Sequence, residues 1–303
     1  MKRISFIFLL SSLLLTGCKP KPDTRTDQPI VTVSILPFKY FVEQLAGEKF
    51  RVNVLVPPGA DHHSYEPAPR QLQEMEESSV LFINGHLGFE EAWMPGIRSN
   101  NPDLKIVDLS EGINLIIIED AEAEHDDHEV EKSDHGHSHE GPDPHYWLSV
   151  KEAKLIAEKM ARGLQAADPS CENLVTGNLR KLEQRLDSLD NQFKITLEPL
   201  KHRSFIIFHP ALNYIARDYN LIQHAMEEGG KEPAASHFKE LVDLSSAEQI
   251  NTIFIQKEYD QENAETLARE INARVVIIDP MSDDWINELQ RIVRELAAMD
   301  IVK

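Results

Sequence analysis

Residues 168–199, DPSCENLVTGNLRKLEQRLDSLDNQFKITLEP, constrain the fold more than any other stretch. Leu179, Leu182, Leu186, Leu189 and Phe193 recur at steps of three and four, which places them on one face of an α-helix. Asp168 can cap the N-terminus, Pro169 suits a first turn that needs no N–H partner, and Pro199 stops the helix. At 1.5 Å per residue such a helix is roughly 45 Å long, more than one small domain requires. Strand and helix patterns alternate before this stretch and again after it. It therefore reads as a spine between two lobes rather than as one surface helix of a single large domain.

The alternation is regular. Before the spine, strands are expected at 30–36, 51–56, 80–84 and 106–109, with helices at 37–48, 68–77, 89–93 and 149–166. Ser149 is placed to cap the last of these, with Glu152 completing a capping box. After the spine, strands are expected at 204–208, 221–225, 252–256 and 275–278, with helices at 211–219, 237–249, 261–272 and 283–298. Such alternation predicts an α/β fold with parallel sheets and crossover helices. The lobes are expected to span 29–167 and 200–303, joined by 168–199.

The N-terminus carries a processing signal. Lys2 and Arg3 precede an apolar run too short to span a membrane comfortably. Leu15-Thr16-Gly17-Cys18 then resembles the bacterial lipobox, in which the Cys is lipidated and becomes the new N-terminus. Residues 1–17 read as the signal peptide and 18–28 as a flexible tether. Formal net charge is −20 for the whole chain and becomes −22 once Lys2 and Arg3 leave. That charge argues against nucleic acid as a partner. Cys171 is left as the one free thiol, so no intrachain disulfide is expected.

Residues 119–140 are of low complexity. They hold His125, His128, His135, His137 and His139 among ten Asp or Glu, which is five of the thirteen His of the chain within fifteen residues. This acidic stretch cannot bury a core, and its imidazoles suit loose metal binding.

Ligands of open α/β sheets bind beyond the carboxyl ends of strands. His209 follows the strand FIIF, Asp279 follows VVII, His63 lies in the loop after VNVLV, and His145 lies in a loop before a helix. Three imidazoles and one carboxylate make a plausible tetrahedral Zn²⁺ site. Each residue alone reads more readily as a solvated loop side chain, a satisfied core His or a turn cap. Their joint placement at strand ends of both lobes, beside a His-rich tract, favours a metal site.

The motifs GADHHSYEP, NGHLGFE, DPHYW, FHPALNYIA, KEPAASH and IDP occur in this order along nearly the whole mature chain. In them the chain resembles the metal-binding lipoproteins of bacterial ABC importers, the solute-binding proteins for zinc and manganese. The resemblance implies two lobes with four-stranded parallel sheets, one long bridging helix, and a metal in the cleft held by His63, His145, His209 and Asp279. The family usually has Pro before the first ligand His. Here that place is His62, which stands as an alternate ligand. Glu66 and Glu232 match family positions near the cleft and are expected to orient ligands.

The resemblance also implies Zn²⁺ rather than Mn²⁺, because manganese members tend to carry Glu at the place of His209. It implies a permease and its ATPase as partners, a lipid-anchored extracytoplasmic location, a monomer, and no enzymatic activity. A manganese-binding homologue, an adhesin or zinc buffer, and a zinc hydrolase using Glu66 as base are the rival readings. The last lacks an HExxH motif. A stiff spine is expected to limit hinge closure, so metal loading should move loops more than lobes.

Overall fold

The computed structural model describes residues 28–118, 141–227 and 233–300. Cys18, the five His of 119–140 and Glu232 lie outside the described residues. The first lobe opens on β1 (Ile30–Ile35), α1 (Leu36–Ala46) and β2 (Arg51–Val56). It continues through α2 (Pro69–Glu76), β3 (Val80–Ile83), α3 (Gly88–Asn100) and β4 (Lys105–Asp108). The strands form a parallel sheet in the order β2-β1-β3-β4. All six residues of β1 and all four of β3 are buried, as central strands covered on both faces must be. A two-residue antiparallel pair, β5 (Ile117–Ile118) with β6 (Gly141–Pro142), brackets the His-rich stretch. It delivers the chain to a short turn at His145–Leu148 and to α4 (Val150–Ala167).

The spine is α5 (Glu172–Leu197), 26 residues and so about 39 Å long. One tight turn, Pro169–Cys171, precedes it, and the Asp168 side chain caps that turn by accepting from the Ser170 N–H. Leu182, Leu186, Leu189 and Phe193 are buried and Leu179 is half-buried, so the expected face is the one that packs. Ser149 caps α4 as expected, accepting from the Glu152 N–H, whereas the Glu152 carboxylate pairs with Arg217 instead of closing a capping box.

The second lobe holds β7 (Ser204–Ile207), α6 (Asn213–Tyr219), β8 (Ile222–Ala225) and α7 (Ala235–Glu248). It ends with β9 (Thr252–Gln256), α8 (Glu262–Ile271), β10 (Arg274–Ile278) and α9 (Trp285–Ala297). Its sheet is again parallel, in the order β10-β9-β7-β8. In both sheets the chain passes from a central strand to an edge strand and then crosses back to the other side of the first, which opens a crevice at the carboxyl ends between β1 and β3 and between β7 and β9.

One element differs from its sequence expectation. Helix α3 runs from Gly88 to Asn100, through Pro95, where the expected helix ended at 93. Pro95 is exposed, so the carbonyl it leaves without a helical partner can be met by water, and buried Ile97 keeps the continuation packed.

A single apolar core runs from β1 through the spine to α9, and a second lies under α7 and α8. The lobes are also stitched by buried polar bonds. The Trp147 indole donates to the Pro280 carbonyl at 3.0 Å, and the Trp285 indole donates to the Trp147 carbonyl at 2.9 Å. The Tyr214 hydroxyl donates to the Asp143 carbonyl at 2.8 Å and accepts from the Ile116 N–H. Trp285 of α9 lies against Tyr40 and Phe41 of α1, with ring centroids 5.7 and 5.1 Å away. Among the described residues no helix is long and apolar enough to cross a membrane.

Candidate metal centre

Three loops bring imidazoles together. The first leaves β2 and is tied down by Gln71, whose amide donates to the carbonyls of Val54 and Leu55 and accepts from the Ala68 N–H. Within it Asp61 accepts from the His63 N–H at 2.9 Å and from the Ser64 hydroxyl at 2.6 Å. This tight turn directs both His62 and His63 inward. The second loop presents His145 on its short turn. The third presents His209 two residues beyond β7, held by a Gln256 side chain that donates to its carbonyl at 2.7 Å.

His62, His63, His145 and His209 form one group, each offering a ring nitrogen, with all four nitrogens within 4.8 Å of one another. Three separations between Nε2 atoms are short: 3.1 Å for His62 and His145, 3.0 Å for His63 and His209, and 3.2 Å for His145 and His209. A tetrahedron with arms of about 2.0–2.1 Å, the usual zinc–imidazole distance, has edges of about 3.3 Å. These three separations lie close to that edge, and the whole group stays within 4.8 Å.

Two buried carboxylates orient the rings. Asp143 accepts from the His145 Nδ1–H at 2.7 Å and from the His145 backbone N–H at 2.9 Å, and its other oxygen accepts from Asn213. Burial alone would push the Asp143 carboxyl up. The charge and N–H groups of His145, with help from Asn213, outweigh burial and hold it below the usual carboxylate range. Glu227 accepts from His209 Nδ1–H at 2.6 Å. With the Nδ1 side of each ring turned to a carboxylate, the Nε2 atoms of His145 and His209 face each other at 3.2 Å. Converging ring nitrogens of this kind suit a borderline-soft cation such as zinc. Trp147 packs beside His145 and His62, and Tyr259 stacks on His209, so aromatic rings wall the cluster.

The loop that follows β3 supports the second loop. The Asn84 amide donates to the Pro144 carbonyl, and the Tyr146 hydroxyl donates to the Asn84 carbonyl. Buried Glu90 accepts from the backbone N–H groups of Asn84 and Gly85. Its carboxyl is pushed up by burial to about 7, even though those N–H groups pull it down. Gly85 sits at φ +92°, and a Cβ there would lie 2.5 Å from a carboxylate oxygen of Asp108.

Of the residues expected from the sequence, His63, His145 and His209 are brought together, and His62 joins them. Asp279 stands outside that group. Its Oδ2 accepts from the Lys257 ammonium at 2.5 Å, while its Oδ1 is buried with no hydrogen-bond partner among the described residues. Glu66 is exposed in the first loop. Asp143 and Glu227 were not anticipated as orienting groups. Asp143 lies two residues before His145, the spacing of a side chain that turns back on its own loop. Glu227 follows β8, where the strand-end rule would have found it.

A family model described as "Zinc-uptake complex component A periplasmic" matches residues 31–299. A putative metal-binding protein of Treponema pallidum is 30% identical over 93% of this chain and 90% of its own length. The high-affinity zinc uptake system protein ZnuA of Bacillus subtilis is 25% identical over 92% of this chain and 89% of its own. A manganese-binding lipoprotein of Halalkalibacterium halodurans is 26% identical over 84% of this chain and 82% of its own. Among solved structures, a zinc-bound ZnuA deletion mutant superposes with a TM-score of 0.80 at 32% identity, covering 91% of this chain and all of that one. The two parallel four-stranded sheets, the long bridging helix and this sequence match together place the chain in the ZnuA family of periplasmic zinc-uptake components.

Proposed function

We propose that this chain captures Zn²⁺ between its two lobes and delivers it to the permease and ATPase of an ABC importer. His63, His145 and His209 supply three ligands, and a fourth comes from His62 or Asp279. The observation that carries the reading is the group of four ring nitrogens within 4.8 Å of one another, two of whose rings are each fixed by a buried carboxylate. Asp143 and Glu227 keep the imidazoles in the metal-binding tautomer and supply two negative charges against the dication. The buried site lets the protein strip the hydration shell of the ion without presenting a nucleophile or an open water position, which sets the reading apart from a hydrolase.

Imidazole-rich sites favour zinc over manganese, which prefers carboxylate and water oxygens in octahedral sites. The manganese reading would need more carboxylate at the ligand positions than this cluster holds. Lipidation at Cys18 would tether the protein outside the cytoplasmic membrane, as a monomer, with the His of 119–140 raising the local zinc supply. The contiguous core and the Trp147–Pro280 and Trp285–Trp147 bonds oppose wide hinge opening, so ion exchange would proceed through loop movement.

The test is a zinc titration of metal-stripped mature protein against a competing chelator, on the intact chain and on a chain lacking 119–140. One tight site that survives the deletion and is lost in His209→Ala is the expected result. A tight site that disappears with the deletion would make the protein a zinc buffer instead.

A further inference from the structure

We infer that His62 is the fourth ligand, so that zinc is held by four imidazoles while Asp279 stays outside the inner sphere, paired with Lys257. The inference rests on the zinc-capture reading above and deepens it. His62 and His63 are adjacent in sequence, and adjacent side chains of an extended segment would point apart. The turn built on Asp61 instead turns both inward, with ring centroids 4.2 Å apart and each ring within reach of a different partner. His62 Nε2 meets His145 at 3.1 Å, and His63 Nε2 meets His209 at 3.0 Å. His62 is 2% exposed, against the edge of Trp147, so it has already been desolvated into the site.

Asp279 has a competing claim, because its Oδ1 is a buried oxygen with no hydrogen-bond partner among the described residues. Two features weigh against it. Its other oxygen is held by Lys257, which offsets the carboxylate's charge and makes Oδ1 a weaker donor to a cation. It also lies outside the group of nitrogens that His62 completes.

Charge gives an independent argument. Four neutral imidazoles leave the ion with its full double charge, and Asp143 and Glu227, one bond removed on the Nδ1 side of two rings, offset it. A third carboxylate in the inner sphere is not needed for neutrality. The consequence is specificity. An all-nitrogen shell binds a hard, oxygen-seeking ion such as Mn²⁺ or Mg²⁺ more weakly than Zn²⁺.

The experiment measures zinc affinity by chelator competition on the metal-stripped mature chain and on His62→Ala, His62→Gln, Asp279→Asn and His209→Ala variants. Thermal unfolding of the metal-free proteins confirms that each is folded, and His62→Gln keeps a polar side chain of similar volume should the Ala variant fail. The expected result is a loss of about a hundredfold or more for either His62 variant, at or beyond the upper end of what outer-sphere changes cause. Asp279→Asn should change affinity by less than about threefold, as for a partly exposed ion pair. X-ray absorption of wild-type protein loaded with less than one equivalent of zinc should show four imidazoles. Three imidazoles and an oxygen, or a large loss in Asp279→Asn with little in the His62 variants, would overturn the inference. If His62 and Asp279 variants both bind normally while His209→Ala does not, the inference fails and zinc capture stands. If His209→Ala also binds normally, zinc capture at this cluster fails with it.

Discussion

Replacing Glu227 by Gln tests whether the carboxylate behind His209 acts through its charge. Gln keeps an oxygen that can accept from His209 Nδ1–H at the site of the present 2.6 Å bond, so the ring stays oriented. What is lost is one negative charge, 8% exposed and therefore poorly screened. A hydrogen bond to a charged partner contributes about 1.5–3 kcal/mol and a neutral one about 0.5–1.5, so the exchange costs about 1–1.5 kcal/mol in the bond alone. Weaker imidazole basicity and the missing charge opposite a dication add to this. The sum matches the tenfold to hundredfold loss of metal affinity typical of such outer partners. Chelator competition on metal-stripped protein reads the loss directly. Glu240→Gln is the control, because Glu240 lies on the same side of the second lobe, is 75% exposed at its side chain, and changes the net charge equally. A loss in both variants would mean that only overall charge matters. A loss below about threefold in Glu227→Gln, with its fold retained, would refute the charge argument.

Other expectations follow from the same geometry. Protons compete with zinc for the imidazoles, so affinity should fall as pH drops below about 6.5. Asp143, held below the usual carboxylate range, stays ionised across that window, and a pH-independent affinity between 7.5 and 5.5 would contradict an imidazole shell. Glu90 keeps its proton in the folded chain up to about 7, whereas the unfolded chain releases it near 4.5. The folded state thus binds more protons in between, and metal-free stability should decline as pH rises through that window, by at most about 3 kcal/mol. Urea denaturation of Glu90→Gln should show the decline abolished. Trp147→Phe removes the donor to the buried Pro280 carbonyl and leaves a void, at a cost of about 2–4 kcal/mol. Calorimetry should show one lowered transition, and two resolved transitions would show that the lobes are not joined by a common core.

The sequence made the architecture legible because its signals were local. The strands RVNVLV and TIFIQ appear at the expected bounds, and the leucine face of the spine is set by a spacing that only helical geometry can use. Strand-end logic pointed to His63 and His209, since a parallel sheet delivers whatever follows its strands to one edge, whereas His145 was read from a loop before a helix. The exit from helix α3 was placed at 93 whereas the helix continues through Pro95 to Asn100, its last turn held by buried Ile97, and burial is not written in the local sequence. Partner choice was harder still. His62 and His63 look equivalent as letters, and only the turn built on Asp61 shows that both face inward. Asp279 was expected as a ligand from its strand end, and Lys257, 22 positions earlier and on the neighbouring strand end, pairs with one of its two oxygens. Adjacent parallel strands bring Lys257 and Asp279 side by side at their carboxyl ends. Any carboxylate proposed as a ligand from a strand end should therefore be checked against cations at the end of the next strand before it is counted in a coordination shell.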